Sequence, residues 1–175
     1  MSKRSPGLKR RKHDFYPTPP SAVLPLLPHL EPGTRFHEPC AGDGALIDAL
    51  QSHGHVCVAA TDLEPKREGI RPMDALAPNF RLHPRADFAI TNPPWTRALM
   101  HPLILALSDQ LPTWLLFDAD WMHTKQAEPY LPRCHKIVSV GRVSWMGNGV
   151  SGMDNAAWYL FDYFAADTRF VGRAA

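Results

Sequence analysis

Short strand-like runs alternate with amphipathic stretches along most of the chain, a pattern typical of a mostly parallel sheet covered by helices. The strand-like runs predict six strands, at residues 35–40, 56–61, 88–92, 114–118, 136–141 and 157–164. Helical periodicity predicts helices at residues 44–53 and 96–107, with a further helical stretch after Asp120. We therefore expect one α/β domain with a doubly wound, mostly parallel sheet of the Rossmann-like type.

The segment Tyr16-Pro17-Thr18-Pro19-Pro20 precedes this alternation. Each proline lacks a backbone N–H and biases the residue before it away from helical angles, so the segment is predicted to be extended. Ser21 then resembles a helix cap for the apolar run at residues 22–30, which Pro25 interrupts.

Composition narrows the class of protein. The 175 residues are 45% hydrophobic and 21% charged, which is ordinary for one globular domain. No uncharged apolar run is long enough to span a membrane, and the basic N-terminus is not followed by the apolar stretch of a secretory signal. Three cysteines without a C-x-x-C spacing, and two histidines in a Gly-containing turn, His53 and His55, predict neither a disulfide framework nor a metal site.

Basic residues are concentrated at the N-terminus. Of the 19 Lys and Arg residues, six fall within residues 1–13, which contain no acidic residue; the remaining 13 face 17 Asp and Glu. We predict a disordered basic arm at 1–13, which either keeps the protein in solution or attracts nucleic-acid phosphates. Its basic residues are Lys3, Arg4, Lys9, Arg10, Arg11 and Lys12.

A glycine-containing turn follows the first predicted strand, in Glu38-Pro39-Cys40-Ala41-Gly42-Asp43-Gly44. It is either a plain strand-to-helix turn or a loop that lets a cofactor approach the backbone. The turn lacks a third glycine and a GK[ST] ending, which disfavours NAD and ATP. Asp62 follows the second strand, twenty residues after Gly42, where nucleoside-binding α/β domains place an acid against the ribose. Asp74 either accepts from an adenine amino group or caps a turn.

The strongest chemical signal is Thr91-Asn92-Pro93-Pro94-Trp95, at the end of an apolar strand. The Asn92 side-chain oxygen and the Pro93 carbonyl can accept both hydrogens of one NH2 group, and Trp95 offers an aromatic face for a base. The alternative is a turn with a core tryptophan.

With these motifs the chain resembles the class I S-adenosylmethionine-dependent methyltransferases, and most of all short phage and prophage adenine-N6 DNA methyltransferases. The shared segments are TPP, EPxxGxG, NPPW and an NAAWYLF-like end. The resemblance implies S-adenosyl-L-methionine as cofactor, a DNA adenine as target, and the cytoplasm of a bacterial or phage-infected cell. It assigns the cofactor to Tyr16, Thr18, Glu38, Gly42, Gly44, Asp62 and Asp74, and catalysis on the target base to Asn92, Pro93, Pro94 and Trp95.

Substrate contacts are predicted from the end of the chain and from the arm. The glycine-rich stretch 143–155 is predicted to be a mobile loop beside the substrate, with Trp145 stacking on or wedging beside the base and Asn155 lining its pocket. Asp120 and Trp121 follow a predicted strand and are expected at the same rim of the substrate site. Contact with substrate and no contact are both open for these two residues. The basic residues Lys9, Arg10, Arg11 and Lys12 are expected to contact DNA phosphates.

Residues 14–175 are predicted to form the methyltransferase domain, without the separate target-recognition domain of larger relatives. We therefore expect weak sequence preference, or specificity supplied by a second subunit. Two alternatives remain: methylation of RNA or of a protein glutamine amide, and a non-catalytic nucleic-acid-binding protein.

Overall fold

The computed structural model describes residues 16–145, 152, 154–163 and 167–173. The predicted arm, with Lys9, Arg10, Arg11 and Lys12, lies outside the described residues, as does part of the glycine-rich stretch. Within the described ranges the strands are β1 (Arg35–Glu38), β2 (Val56–Asp62), β3 (Arg71–Pro72), β4 (Phe88–Thr91), β5 (Thr113–Asp118), β6 (Cys134–Arg142), β7 (Asn155–Phe161) and β8 (Arg169–Val171). The α-helices are α1 (Pro20–Val23), α2 (Ala45–Ser52) and α3 (Arg97–Ser108).

The strands pair into one sheet in the order β3-β2-β1-β4-β5-β7-β6-β8. Strands β3, β2, β1, β4 and β5 are parallel, β7 runs antiparallel to both β5 and β6, and β8 is parallel to β6. The chain moves from β1 outward to β3 and then returns to β4 on the other side of β1. This change of direction opens a crevice at the carboxyl ends of β1 and β4, where doubly wound sheets bind ligands. The predicted single-domain α/β class with a mostly parallel sheet is confirmed.

Two apolar layers cover the sheet because successive side chains of a strand point to opposite faces. On β5, Trp114 and Leu116 pack on the face that α1 and α2 cover. Leu115 and Phe117 alternate with them and pack on the α3 side, with an aromatic cluster that includes Trp121. These two layers hold the carboxyl ends of the strands in fixed positions around the crevice.

The N-terminal segment is fixed to the sheet by α1. The indole N–H of Trp158, on β7, donates to the Ala22 carbonyl at 2.8 Å, and both residues are fully buried. The residues just before α1 are therefore held across the carboxyl edge of the sheet. Pro19 occupies the cap position and Pro20 starts the helix, so the prediction that Ser21 caps it is wrong. A proline suits the first helical position because its fixed φ matches the helix.

Several other predicted boundaries differ from the structure. The final predicted strand, 157–164, begins two residues earlier at Asn155 and ends at Phe161. Strands β3 and β8 were not predicted, because two or three residues carry no periodic pattern and Pro72 disfavours a strand. The helical stretch after Asp120 is instead a series of short 3-10 helices, at Ala119–His123, Lys125–Ala127 and Leu131–Arg133. Among the described residues, no helix is long and apolar enough to cross a membrane.

Candidate active site

The turn between β1 and α2 is held by hydrogen bonds to a side chain at the end of β2. Gly42 and Gly44 have φ of 54° and 79°, in the left-handed region that favours glycine. The backbone N–H of Gly42 donates to Asp62 Oδ2 at 2.7 Å, and that of Glu64 donates to Asp62 Oδ1 at 2.7 Å. A Cβ at Gly44 would lie 2.6 Å from the Arg67 guanidinium. Because each carboxylate oxygen has a second lone pair, Asp62 still has acceptor capacity for a ligand.

A cleft opens beside this turn, along the carboxyl ends of β1 to β4. Its lining includes six of the seven residues predicted to bind the cofactor: Tyr16, Thr18, Glu38, Gly42, Asp62 and Asp74. The seventh, Gly44, is not in the lining; it occupies the cap position of α2 and shapes the turn. Asp74 Oδ1 also accepts from the Leu76 N–H at 2.8 Å, so the turn-cap interpretation holds along with the position in the cleft. The tertiary structure thus brings these sequence-distant segments together.

Charge in the cleft is strongly acidic. Among the described residues, the acidic side chains that line it are Glu38, Asp43, Asp62, Glu64 and Asp74, against one ammonium group, that of Lys66. A polyanionic nucleotide would be repelled by such a lining, whereas a cationic ligand would be attracted. The cleft therefore suits a ligand with positive charge.

Glu38 is the most unusual of these acids. It is 1% exposed, and its Oε2 atom has no hydrogen-bond partner among the residues that the structure describes. Burial, with repulsion from Asp62, Asp43 and Asp48, raises the pKa of its carboxyl well above the ordinary value. A buried acceptor without a partner is costly, so a cationic donor in the cleft would relieve the cost. S-adenosylmethionine, which carries an ammonium and a sulfonium, fits this arrangement.

Asn92 lies just after β4, at the mouth of the cleft. Its Nδ2 atom donates to Thr18 Oγ1 at 3.2 Å and to the Tyr16 carbonyl at 3.3 Å. Its Oδ1 atom accepts from Trp95 Nε1 at 3.2 Å. Pro94 also lines the cleft, while Pro93 is buried and lies outside the lining. The Asn92 amide is thus engaged on both sides.

The Trp95 side chain is half-buried, and its indole N–H donates to the Leu116 carbonyl at 3.2 Å as well as to Asn92. Trp145 packs against it edge-on, with ring centroids 5.4 Å apart and planes at 87°. Trp145 therefore lies beside the NPPW segment, and it is not among the residues that line the cleft.

Besides Trp145, two further predicted substrate residues lie outside the cleft. Asp120 is exposed, and its backbone N–H donates to Asp118 Oδ1 at 3.0 Å within a 3-10 helix. Asn155 is exposed at the start of β7, opposite Arg142. The suggestion that Trp121 contacts substrate is wrong, because it is 1% exposed and packs edge-on against the stacked rings of Phe117 and Tyr159 in the core.

Sequence reasoning missed several residues of the cleft lining. They are Asp43, Leu63, Lys66, Leu76, Leu99 and Leu103. Leu63 is 64% exposed directly after Asp62, and an exposed leucine next to a predicted ribose acid is a signal that could have identified it. The leucines of α3 carry no such signal, because they follow the same periodicity as the core. In the part of the chain that the structure describes, no three His, Cys, Asp or Glu side chains group to hold a metal ion.

Several solved structures with the same architecture are methyltransferases by description. A proposed RNA methyltransferase from Pyrococcus horikoshii has a TM-score of 0.60 and 14% identity, over 84% of this chain and 85% of that chain. This chain has the methyltransferase fold. A dimethyladenosine transferase from Plasmodium falciparum shares it, with a TM-score of 0.55 and 14% identity over 84% of this chain and 62% of that chain. So does a type I restriction-modification methyltransferase subunit from Streptococcus thermophilus, with a TM-score of 0.60 and 10% identity over 90% of this chain.

The methyltransferase fold is shared without close sequence similarity. No protein-family model and no curated protein matches the chain. The chain spans 62% of the Plasmodium protein and 47% of the Streptococcus subunit, so it corresponds to only part of those two chains.

Proposed function

We propose that this protein transfers a methyl group from S-adenosylmethionine to the exocyclic N6 amine of adenine in DNA. The observation that carries the proposal is the position of Asn92, directly after β4 and at the mouth of an acidic cleft. An amide oxygen next to a cleft suited to a cationic nucleoside is what amine methylation requires. The methyltransferase fold supports the class of reaction, and the NPPW motif supports an amine as the acceptor.

The cofactor-binding residues in this proposal are the ones that line the cleft. Glu38 attracts the ammonium of the methionine moiety, and Asp62 accepts from the ribose hydroxyls. Asp74 accepts from the adenine amino group, while Gly42 lets the backbone approach. When bound, S-adenosylmethionine supplies an electrophilic methyl group on its sulfonium. The acidic lining stabilises that positive charge in the reactant and orients the methyl toward Asn92.

Asn92 and Pro93 act on the acceptor amine. The nitrogen of an aromatic amine is a weak nucleophile because its lone pair is delocalised into the ring. Hydrogen bonds from its two N–H groups to Asn92 Oδ1 and the Pro93 carbonyl favour a pyramidal nitrogen and direct its lone pair toward the methyl. The amine nitrogen would gain the methyl as the C–S bond of the bound cofactor breaks with its electron pair on sulfur, and one N–H proton would pass to water. Positioning and electrostatics therefore supply most of the rate, without a strong general base.

DNA enters this proposal as a substrate with its target base outside the helix stack. The acidic cleft disfavours phosphates, so positive charge for the backbone must come from elsewhere on the chain. The basic residues of 1–13 supply it in this proposal, and Trp145 contacts the displaced base.

The test is methyl transfer from tritiated S-adenosylmethionine, with unmethylated duplex DNA, single-stranded DNA, RNA and a protein lysate as parallel acceptors. Each labelled product is digested to nucleosides or amino acids. Label in N6-methyldeoxyadenosine supports the proposal, with Asn92→Ala as the inactive control that still binds cofactor. Label only in RNA or only in protein would identify that acceptor, rather than DNA, as the substrate. Cofactor binding without transfer to any acceptor contradicts the enzymatic proposal and favours a binding protein.

A further inference from the structure

The Asn92 amide is held between two elements that are far apart in the sequence. On one side its Nδ2 atom donates to Thr18 Oγ1 and to the Tyr16 carbonyl, at 3.2 Å and 3.3 Å. On the other side its Oδ1 atom accepts from the Trp95 indole at 3.2 Å. Thr18 is 5% exposed, so this arrangement is shielded from water on the N-terminal side.

The partners differ in how strongly they select one orientation of the amide. An indole N–H can only donate, and a backbone carbonyl can only accept, whereas a threonine hydroxyl can do both. Turning the amide by 180° would place its NH2 group against the Trp95 N–H and its oxygen against the Tyr16 carbonyl. Both contacts would then be repulsive, so Trp95 and Tyr16 select the orientation and Thr18 strengthens it.

Trp95 is itself held in place for this task. Its N–H is shared with the Leu116 carbonyl on β5 at 3.2 Å, and Trp145 packs edge-on against its ring. A ring anchored in this way cannot rotate freely over a base without breaking both hydrogen bonds. A phenylalanine or tyrosine at the same position would offer an aromatic face but no N–H.

We infer that Trp95 and Thr18 are positioning residues that fix the Asn92 amide with its oxygen available to the acceptor amine. This inference rests on the proposed function and deepens it. It assigns to the fourth residue of the NPPW segment a hydrogen-bonding role in addition to any aromatic contact with a base. It also makes the TPP segment part of the acceptor site, since Thr18 and the Tyr16 carbonyl hold the same amide.

The kinetic test removes one partner at a time. Trp95→Phe keeps the aromatic ring and removes the N–H, and Thr18→Val keeps the shape and removes the hydroxyl. Each removes about one hydrogen bond to the amide, so we expect the single-turnover methyl-transfer rate to fall about tenfold. KM for DNA should change less than threefold in both variants, and the cofactor Kd should change less than threefold in Trp95→Phe. Thr18→Ser, which restores the hydroxyl, should recover most of the rate that the valine variant lacks.

Three kinetic outcomes contradict the inference. A wild-type rate in both Trp95→Phe and Thr18→Val would show that the amide needs neither partner. A rise in KM for DNA at unchanged rate in Trp95→Phe would assign this residue to base stacking alone. An equally low rate in the serine and valine variants would assign Thr18 to packing. Circular dichroism melting of each variant separates these outcomes from unfolding, and Thr18→Val, which preserves volume, serves if Trp95→Phe fails to fold.

A second measurement tests the arrangement without relying on activity. In a 15N-labelled protein, the indole N–H of Trp95 and the side-chain NH2 of Asn92 are assigned from the signals that disappear in Trp95→Phe and Asn92→Ala. We expect both to exchange slowly with solvent, and Trp95→Phe to speed exchange of the Asn92 NH2. Fast exchange of both in the wild type overturns the inference. If instead these signals are protected but no acceptor is methylated, the proposed function fails while the amide arrangement stands.

Discussion

Asp62 Oδ2 accepts the backbone N–H of Gly42 at 2.7 Å, which joins the end of β2 to the glycine turn after β1. The same carboxylate also accepts the Glu64 N–H through Oδ1 at 2.7 Å. One side chain therefore shapes the turn and, in the proposed function, binds the ribose.

Replacement of Asp62 should affect both roles. In Asp62→Ala we expect the Kd for S-adenosylmethionine to rise at least about tenfold, because charge-assisted hydrogen bonds contribute about 1.5–3 kcal/mol each. Tm should also fall. For Asp62→Asn we expect a Kd and a Tm between those of the wild type and Asp62→Ala. The amide oxygen can accept one of the two backbone N–H groups, but the amide NH2 clashes with the other donor. Calorimetric titration and thermal melting measure both effects; Asp109→Asn, at an exposed ion pair with Arg133, is the control. Unchanged affinity in Asp62→Ala would remove Asp62 from the cofactor site.

Glu38→Gln should stabilise the protein without cofactor and weaken cofactor binding. Because the folded-state pKa of Glu38 is raised, mainly by burial, the unfolded chain ionises first as pH rises above about 4.5. The folded state then loses stability with rising pH, up to the raised pKa. Gln removes this loss, so we expect a Tm higher by a few degrees at pH 8.

The same substitution removes the partner of a cationic ligand. We expect the Kd for S-adenosylmethionine to rise at least about 30-fold in Glu38→Gln, which corresponds to about 2 kcal/mol. Wild-type binding should also release protons, because a cation lowers the pKa of the Glu38 carboxyl. Calorimetry in buffers of different ionisation enthalpy measures the release, with exposed Glu31→Gln as the control. If Glu38→Gln still releases protons on binding, the protons come from a group other than Glu38.

His37 should make the protein less stable in acid. Its Nδ1 atom accepts from the His83 N–H at 3.1 Å, so its Nε2–H donates to Thr61 Oγ1 at 3.2 Å and the ring must be neutral. Burial, with the charges of His83 and Arg71, lowers the pKa of His37 from 6.5 to about 4. The unfolded chain therefore takes up the proton first as pH falls. The contribution of neutral His37 to the free energy of unfolding is complete above about pH 6.5. About 3 kcal/mol of the free energy of unfolding is lost as the pH falls toward 4.

Urea unfolding at pH 7.5 and pH 4.5 measures this loss. His37→Gln should be less stable than the wild type at pH 7.5 but should show a smaller decrease at pH 4.5. Burial also lowers the pKa of His29, His55 and His101, so part of the decrease should remain. The exposed His123→Gln should keep the wild-type difference. An identical difference in His37→Gln would show that His37 is not responsible.

Deletion of residues 1–13 should weaken DNA binding in a salt-dependent way. These residues carry six of the basic groups and no acidic group. Each phosphate that the shortened protein no longer neutralises should reduce the slope of log Kd against log salt by about 0.9 for duplex DNA. Fluorescence anisotropy at salt concentrations from about 50 to about 300 mM measures the slope. The cofactor Kd should not change, and an unchanged slope would exclude the arm from DNA binding.

Much of the site was predictable because its residues follow strand ends that are marked locally. The runs before Asp62 and Asn92 are apolar, and glycines or prolines follow the strand ends at Glu38, Asp62 and Asn92. Any doubly wound sheet gathers such positions at one edge. The cleft that contains Tyr16, Thr18, Asp62, Asp74 and Asn92 was therefore foreseeable from order along the chain.

The alternation of strands and helices, the residues at the strand ends and the NPPW segment are encoded locally, because periodicity and turn residues act over a few neighbours. Tertiary packing buries Trp121, adds the short strands β3 and β8, and leaves the buried Glu38 oxygen without a hydrogen-bond partner among the described residues. It also brings the Asn92 amide to Thr18, which is 74 residues away in the sequence. Burial and hydrogen-bond partners at that distance depend on how the layers pack, and no local pattern encodes that packing.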